Sequence, residues 1–96
     1  MKIMVIGYLK FKALMGDEDP VVLEMEKGSL RDALEALSRR YGESFENMMF
    51  TPRTKEVKRS NLVLLNGQSY LNLRDRLRSE LKDGDEIKLM PPVVGG

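Results

Sequence analysis

The sequence predicts an α+β domain, a mixed sheet of about four to five strands with one main helix packed across one face. Three observations carry this expectation. Strongly apolar runs open and close the folded part of the chain, at Ile3–Leu9 and Glu86–Met90. A single segment, Ser29–Tyr41, has the spacing of an amphipathic helix. One helix can cover only one face of a sheet, so the strands must form a two-layer arrangement with it.

Taken in order, Ile3, Met4, Val5 and Ile6 begin a β-branched run that continues through Gly7, Tyr8 and Leu9. This run reads as a central strand buried on both faces. Met15–Pro20 is rich in turn formers. Val21–Glu26 alternates, with Val21, Leu23 and Met25 on one side and Glu24 and Glu26 on the other, so the first two strands are expected to form a hairpin around a short polar loop. In the helix, Leu30, Ala33, Leu34, Leu37 and Tyr41 share one face. Ser29 is placed to cap its start with Asp32 as the reciprocal partner, and Arg39 and Arg40 suit the negative end of its dipole before Gly42 stops it.

Glu43–Ser60 is less regular. Phe45, Met48, Met49 and Phe50 fit either a short helix or an apolar loop, and Arg53–Arg59 reads as an exposed connection. Asn61–Asn66 is a buried strand ending in an Asn66-Gly67 hairpin turn, with Gln68–Leu71 as a short return. Leu73–Leu81 has room for a brief helical turn, Lys82-Asp83-Gly84-Asp85 is a turn, and Glu86–Met90 is the last strand, with Ile87 and Leu89 on one side. The first and last strands are apolar enough to lie side by side at the centre. If they run parallel, the intervening chain supplies the crossover that parallel neighbours need. That topology is the ubiquitin-like β-grasp.

Composition excludes much. The chain has no cysteine, hence no disulfide, thiolate nucleophile or thiolate metal site. It has no histidine either, which removes the usual general base and the commonest metal ligand, so no metal site and no bound cofactor is expected. Sixteen basic residues against fifteen acidic ones give a net charge of +1, which argues against a nucleic-acid partner. Met1–Leu9 is too short to span a bilayer and carries no basic leader, so the protein is expected to be cytoplasmic, without a membrane partner.

The C-terminus stands out physically. Residues 1–90 are expected to form the domain and 91–96 an extended tail. Pro91 and Pro92 cannot extend a ladder and stiffen the exit; Val93 and Val94 favour extended chain; Gly95 and Gly96 carry no side chains. At roughly 3.3 Å per residue, such a tail reaches about 20 Å, enough to thread a carboxylate into a narrow pocket. A bare terminal Gly-Gly is equally consistent with a frayed chain end. The context raises it: Leu81–Gly96, L-K-D-G-D-E-I-K-L-M-P-P-V-V-G-G, closely resembles the C-terminal signature of the molybdopterin synthase small subunit family, approximately L-x-D-G-D-E-[VI]-x-[FL]-x-P-P-V-x-G-G. Asn66-Gly67, Ala13-Leu14-Met15-Gly16 and the helix start at Ser29-Leu30-Arg31-Asp32 match as well, whereas Glu43–Ser60 looks longer than in compact members.

The resemblance implies a sulfur carrier. A ubiquitin-activating-type enzyme would use ATP to adenylate the Gly96 carboxylate, and a persulfide donor would convert it to a thiocarboxylate. The large subunit of molybdopterin synthase would then pass the sulfur to cyclic pyranopterin monophosphate, with the catalytic residues on that subunit. The resemblance also places partner contacts at Tyr8 and Met90, along the tail from Pro91 to Gly95. By strand parity, if Ile3 and Val5 face the helix with Ile87 and Leu89, then Met4, Ile6, Tyr8 and Met90 share the uncovered face, where apolar side chains mark a partner surface. Carriers for tRNA thiolation, a tungsten pterin pathway or thiamin synthesis share such a tail, and so do ubiquitin-like modifiers that attach to lysines.

Overall fold

The computed structural model describes residues 1–16 and 18–92. The predicted tail residues Val93, Val94, Gly95 and Gly96 lie outside the described residues, as does Asp17 within the predicted turn. The elements are β1 (Lys2–Gly7), α1 (Lys10–Met15), β2 (Val21–Glu24), α2 (Leu30–Tyr41), α3 (Glu43–Met49), β3 (Leu62–Leu65), β4 (Gln68–Ser69) and β5 (Glu86–Met90). Two 3-10 turns, Tyr70–Asn72 and Arg76–Arg78, join β4 to β5.

The sheet order is β2-β1-β5-β3-β4. β1 and β5 pair in parallel at the centre, Val5 opposite Ile87, and every other pairing is antiparallel. This is the expected β-grasp. Alternation along β1 and β5 sends Ile3, Val5, Ile87 and Leu89 into a core where each is fully buried. There they meet Leu30, Ala33, Leu34 and Leu37 of α2. The helix starts as its sequence demands. The Ser29 hydroxyl accepts from the Asp32 backbone N–H at 3.2 Å, and the Asp32 carboxylate accepts from the Ser29 N–H at 2.9 Å.

Three expectations are corrected. β1 stops at Gly7 instead of continuing to Leu9, and it is covered on one face only, since Met4 and Ile6 remain half-buried. β1 and β2 do pair antiparallel as expected, but ahead of the polar stretch Met15–Pro20 the connection also holds the helix α1. Phe11 and Met15, four residues apart, are the buried side of this helix. Six residues are too few for helical periodicity to show. The close approach of α1 also explains Gly7: a Cβ there would lie 2.7 Å from the Met15 sulfur and 3.1 Å from the Phe11 carbonyl carbon.

The second correction concerns the span from Glu43 to Ser60. Its first half follows the short-helix reading as α3, which buries Phe45 and Met49, so the correction falls on what comes after. The exposed connection that follows contains Val57, which is 5% exposed and bridges in antiparallel fashion to Phe50. A lone valine among charges gives no periodic signal. Thirdly, β2 ends at Glu24, with Met25 only half-buried, and β4 ends at Ser69.

Tyr41, the last apolar residue of α2, is half-buried, and its hydroxyl has no hydrogen-bond partner among the described residues. Burial raises its pKa above the ordinary phenol value; the Arg40 guanidinium opposes this and the Glu18 carboxylate adds to it. The folded state therefore favours the neutral phenol. The linked stability is fully present below the unfolded-state pKa and is lost as pH rises through the folded-state value. Tyr41→Phe removes an unpaired hydroxyl. It is expected to leave stability unchanged or raise it by up to about 1 kcal/mol near neutral pH, and to flatten the alkaline loss, as read by urea midpoints across pH.

Candidate functional site

The site is the root of the tail, and the turn before β5 sets its position. Asp85 accepts from the Lys82 backbone N–H at 2.7 Å through one carboxylate oxygen and from the Asn66 side-chain amide at 3.0 Å through the other. The Asn66 side-chain carbonyl accepts from the Glu86 N–H at 2.9 Å, and the Met4 N–H donates to the Asp85 carbonyl at 2.9 Å. Asp83 accepts from the Lys2 N–H at 2.7 Å. The Asp83-Gly84-Asp85 turn thus ties β5 to the first residues of β1 and to the β3–β4 hairpin. Register is fixed at the strand's start, and the point where the chain leaves the sheet follows from it.

At the far end Met90 pairs with Leu62, Pro91 is buried and Pro92 is exposed. Beside this exit lies a groove of about 810 Å3 between α3 and the β1–α1 junction, lined by Leu9, Met48, Asn61 and the two prolines. Leu9 is 60% exposed and has a φ of 55°, unusual for a residue with a side chain. Asn61, 6% exposed, donates to the Met48 and Met49 carbonyls at 2.9 and 3.3 Å. Its side-chain carbonyl has no donor among the described residues, which leaves a buried acceptor at the tail root.

The second feature is the sheet face that α2 does not cover. Pairing places Met4 between Val22 and Glu86, puts Ile6 next to Lys88, with Leu64 on the other side of Lys88, and sets Met90 beside Leu62. The end of the face near the tail is apolar: Tyr8, Leu62, Leu64 and Met90, with the Lys88 side chain, line a depression of about 260 Å3. The other end carries Glu86, whose carboxylate lies 3.6 Å from the Lys88 ammonium. Both groups are solvent-accessible, so the pair fixes charge position more than it stabilises.

Tyr8 and Met90, singled out from sequence, do come together here, and Pro91 and Pro92 lie at the adjoining exit. Val93, Val94, Gly95 and Gly96 lie outside the described residues. Leu62 and Leu64 were missed. The run Asn61–Asn66 is almost wholly apolar and reads as buried on both sides, yet Leu62 is 40% exposed. Only its pairing with Met90 would have placed it on the open face. Among the described residues no group of acidic side chains has metal-binding spacing, and no helix is long and apolar enough to cross a membrane.

A central strand that runs out beside an open apolar face, with α2 on the other side, defines a ubiquitin-like β-grasp protein. The chain belongs to the ThiS family, whose sequence pattern matches residues 10–96. It is similar to the molybdopterin synthase sulfur carrier subunit of Drosophila melanogaster, at 46% identity over 39 residues. That match spans 40% of this chain and 41% of the fly protein, less than half the length of either. Its fold is similar to small archaeal modifier protein 1 from Methanosarcina acetivorans, with a TM-score of 0.82 at 27% identity over 99% of this chain and 96% of that one. The crystal structure of the Haloferax volcanii protein of the same type gives 0.83 at 25% identity over the whole of both chains.

Proposed function

We propose that this protein is a sulfur carrier, the small subunit of a molybdopterin synthase, and that the Gly96 carboxylate is the group it carries. The observation that supports this best is the family match, which runs to the last residue and takes in the Leu81–Gly96 motif. A carboxylate is a poor electrophile. Attack of its oxygen on the α-phosphorus of ATP gives an acyl adenylate and pyrophosphate. A persulfide then displaces AMP, and a thiol reductant cleaves the resulting acyl disulfide to the thiocarboxylate. The thiocarboxylate sulfur is passed to cyclic pyranopterin monophosphate.

The chain has neither histidine nor cysteine, so proton transfers and persulfide chemistry belong to the adenylating enzyme, the sulfur donor and the large subunit. The chain's own contribution is presentation. The depression at Tyr8, Leu62 and Met90 is the docking surface in this reading, and the proline exit beside it feeds the tail into the partner's pocket. The thioether of Met90 suits a surface that accepts successive partners.

The test is incubation with an adenylating enzyme, ATP and a persulfide source. The mass of the chain should rise by one oxygen-to-sulfur exchange, and the product with a large subunit should convert the pyranopterin to molybdopterin. No molybdopterin from a large subunit shown to bind the carrier would overturn the pterin assignment. Leu62→Glu, at an exposed position, is expected to keep the fold and to raise the KM of the adenylating enzyme for the carrier about tenfold or more, read by pyrophosphate exchange.

The likeness to small archaeal modifier protein 1 favours a second use of the same tail, attachment to lysines through Gly96. Mass spectrometry of cellular lysines distinguishes the two: trypsin cuts after Lys88, so conjugation leaves residues 89–96 as a remnant on the modified lysine.

A further inference from the structure

A second surface, which shares no lining residue with the tail-root groove or the open sheet face, carries a concentration of charge that sulfur carriage does not use. Arg74, Arg76 and Arg78, on and just before the second 3-10 turn, converge with Arg59 on a cleft of about 510 Å3 beyond the β4 edge of the sheet. All four arginines are exposed. Only Glu56 and Asp75 oppose them in the lining, and among the described residues none of the four forms an ion pair. In a chain whose total charge is +1, four clustered guanidinium groups without carboxylate partners are a local excess.

The segment is held in place. The Leu30 N–H donates to the Ser79 carbonyl and the Leu81 N–H to the Gly28 carbonyl, both at 2.9 Å, which pins it to the start of α2. Arg76 has a φ of 48°, a strained conformation for a side-chain-bearing residue, and such strain collects at binding sites.

The lining also selects among anionic partners. Leu71 is 42% exposed at the cleft, an apolar anchor next to the charges. The one aromatic residue, Tyr70, is 6% exposed and offers no ring face for a base to stack on, as single-stranded nucleic acid would need. Arginine forks match carboxylates in bidentate geometry, and arginine is enriched in protein interfaces.

We propose that this cleft is a docking site for a carboxylate-rich segment of a partner protein, engaged independently of the open sheet face. The two linings share no residue, so occupying one does not fill the other. The proposal does not depend on which acceptor the tail serves.

Amide chemical shifts of the full chain, titrated with a short acetylated peptide of alternating glutamates and leucines, test it. Shifts are expected at Arg59, Leu71 and Arg74–Arg78, with Tyr8 and Met90 unmoved. The peptide should bind at least about tenfold more tightly than its glutamine counterpart, and about tenfold more weakly at about 300 mM than at about 50 mM salt. Arg74→Glu combined with Arg78→Glu should cost about tenfold or more in affinity while the remaining amide spectrum is kept. Equal affinity for the glutamine peptide, or shifts at Tyr8 and Met90, would overturn the proposal. Tighter binding of an oligouridine of equal charge at the same residues would instead assign the cleft to nucleic acid. If the double variant fails to fold, the glutamine control and the salt titration on the unaltered chain still decide.

Discussion

Deletion of Gly96 is expected to reduce thiocarboxylate formation to background, a loss of at least about a hundredfold, because it moves the carboxylate one residue back and leaves the reacting atoms misplaced in the partner's pocket. The fold should be untouched. The closing strand ends at Met90, the sheet and core are complete within the described residues, and a terminal glycine contributes no side chain. Amide spectra of the shortened chain should therefore overlay those of the intact one while intact-mass analysis after incubation with adenylating enzyme, ATP and a persulfide source shows no sulfur uptake. The same deletion should stop any conjugation to lysines. Sulfur transfer or conjugation that survives it would mean that the Gly96 carboxylate is not the group this chain carries.

The largest effect on stability is expected from Phe45→Ala. Phe45 is fully buried, with its ring centroid 5.6 Å from that of Phe11 and 6.1 Å from that of Tyr41. Truncation leaves a cavity where α1, α2 and α3 meet and should cost about 3–5 kcal/mol. For a domain of this size the total stability is about 5–15 kcal/mol, so the melting temperature should fall by more than about 12 °C. Scanning calorimetry reads this directly. A loss below about 1 kcal/mol would mean that α3 is a surface appendage and not part of the core.

That contrast between helices shows what the sequence could reveal. α2 was legible because its signals agree: an apolar stripe across three turns, Ser29 with Asp32 at one end and Gly42 at the other, and the structure contains each of them. The parallel pairing of β1 with β5 followed from two apolar runs and a connection long enough to cross over. α1 was not legible, since Phe11 and Met15 are a single helical pair, and α3 was only one of two readings of Phe45, Met48 and Met49. At the site, parity placed Tyr8 and Met90 on one face because β5 alternates and Tyr8, one residue past β1, still donates its N–H to the Leu89 carbonyl. Leu62 and Leu64 stand in a run without alternation, so their exposure depends on register against β5, a long-range fact. The lock at Asp83-Gly84-Asp85 shows the same limit. Its residues read as a turn, whereas the bonds that matter run from Asp85 to Asn66 and from Asp83 to Lys2.

The central position of β5 has a mechanical consequence. β5 is bonded to β1 on one side and to β3 on the other, so a pull on the chain beyond Met90 directed along the strand axis acts on both pairings. Tension then loads both ladders in shear, so their hydrogen bonds resist together and do not open one at a time, as they would if an edge strand were peeled away. For the carrier proposed above, the body behind Met90 would then serve as a rigid handle to each partner in turn.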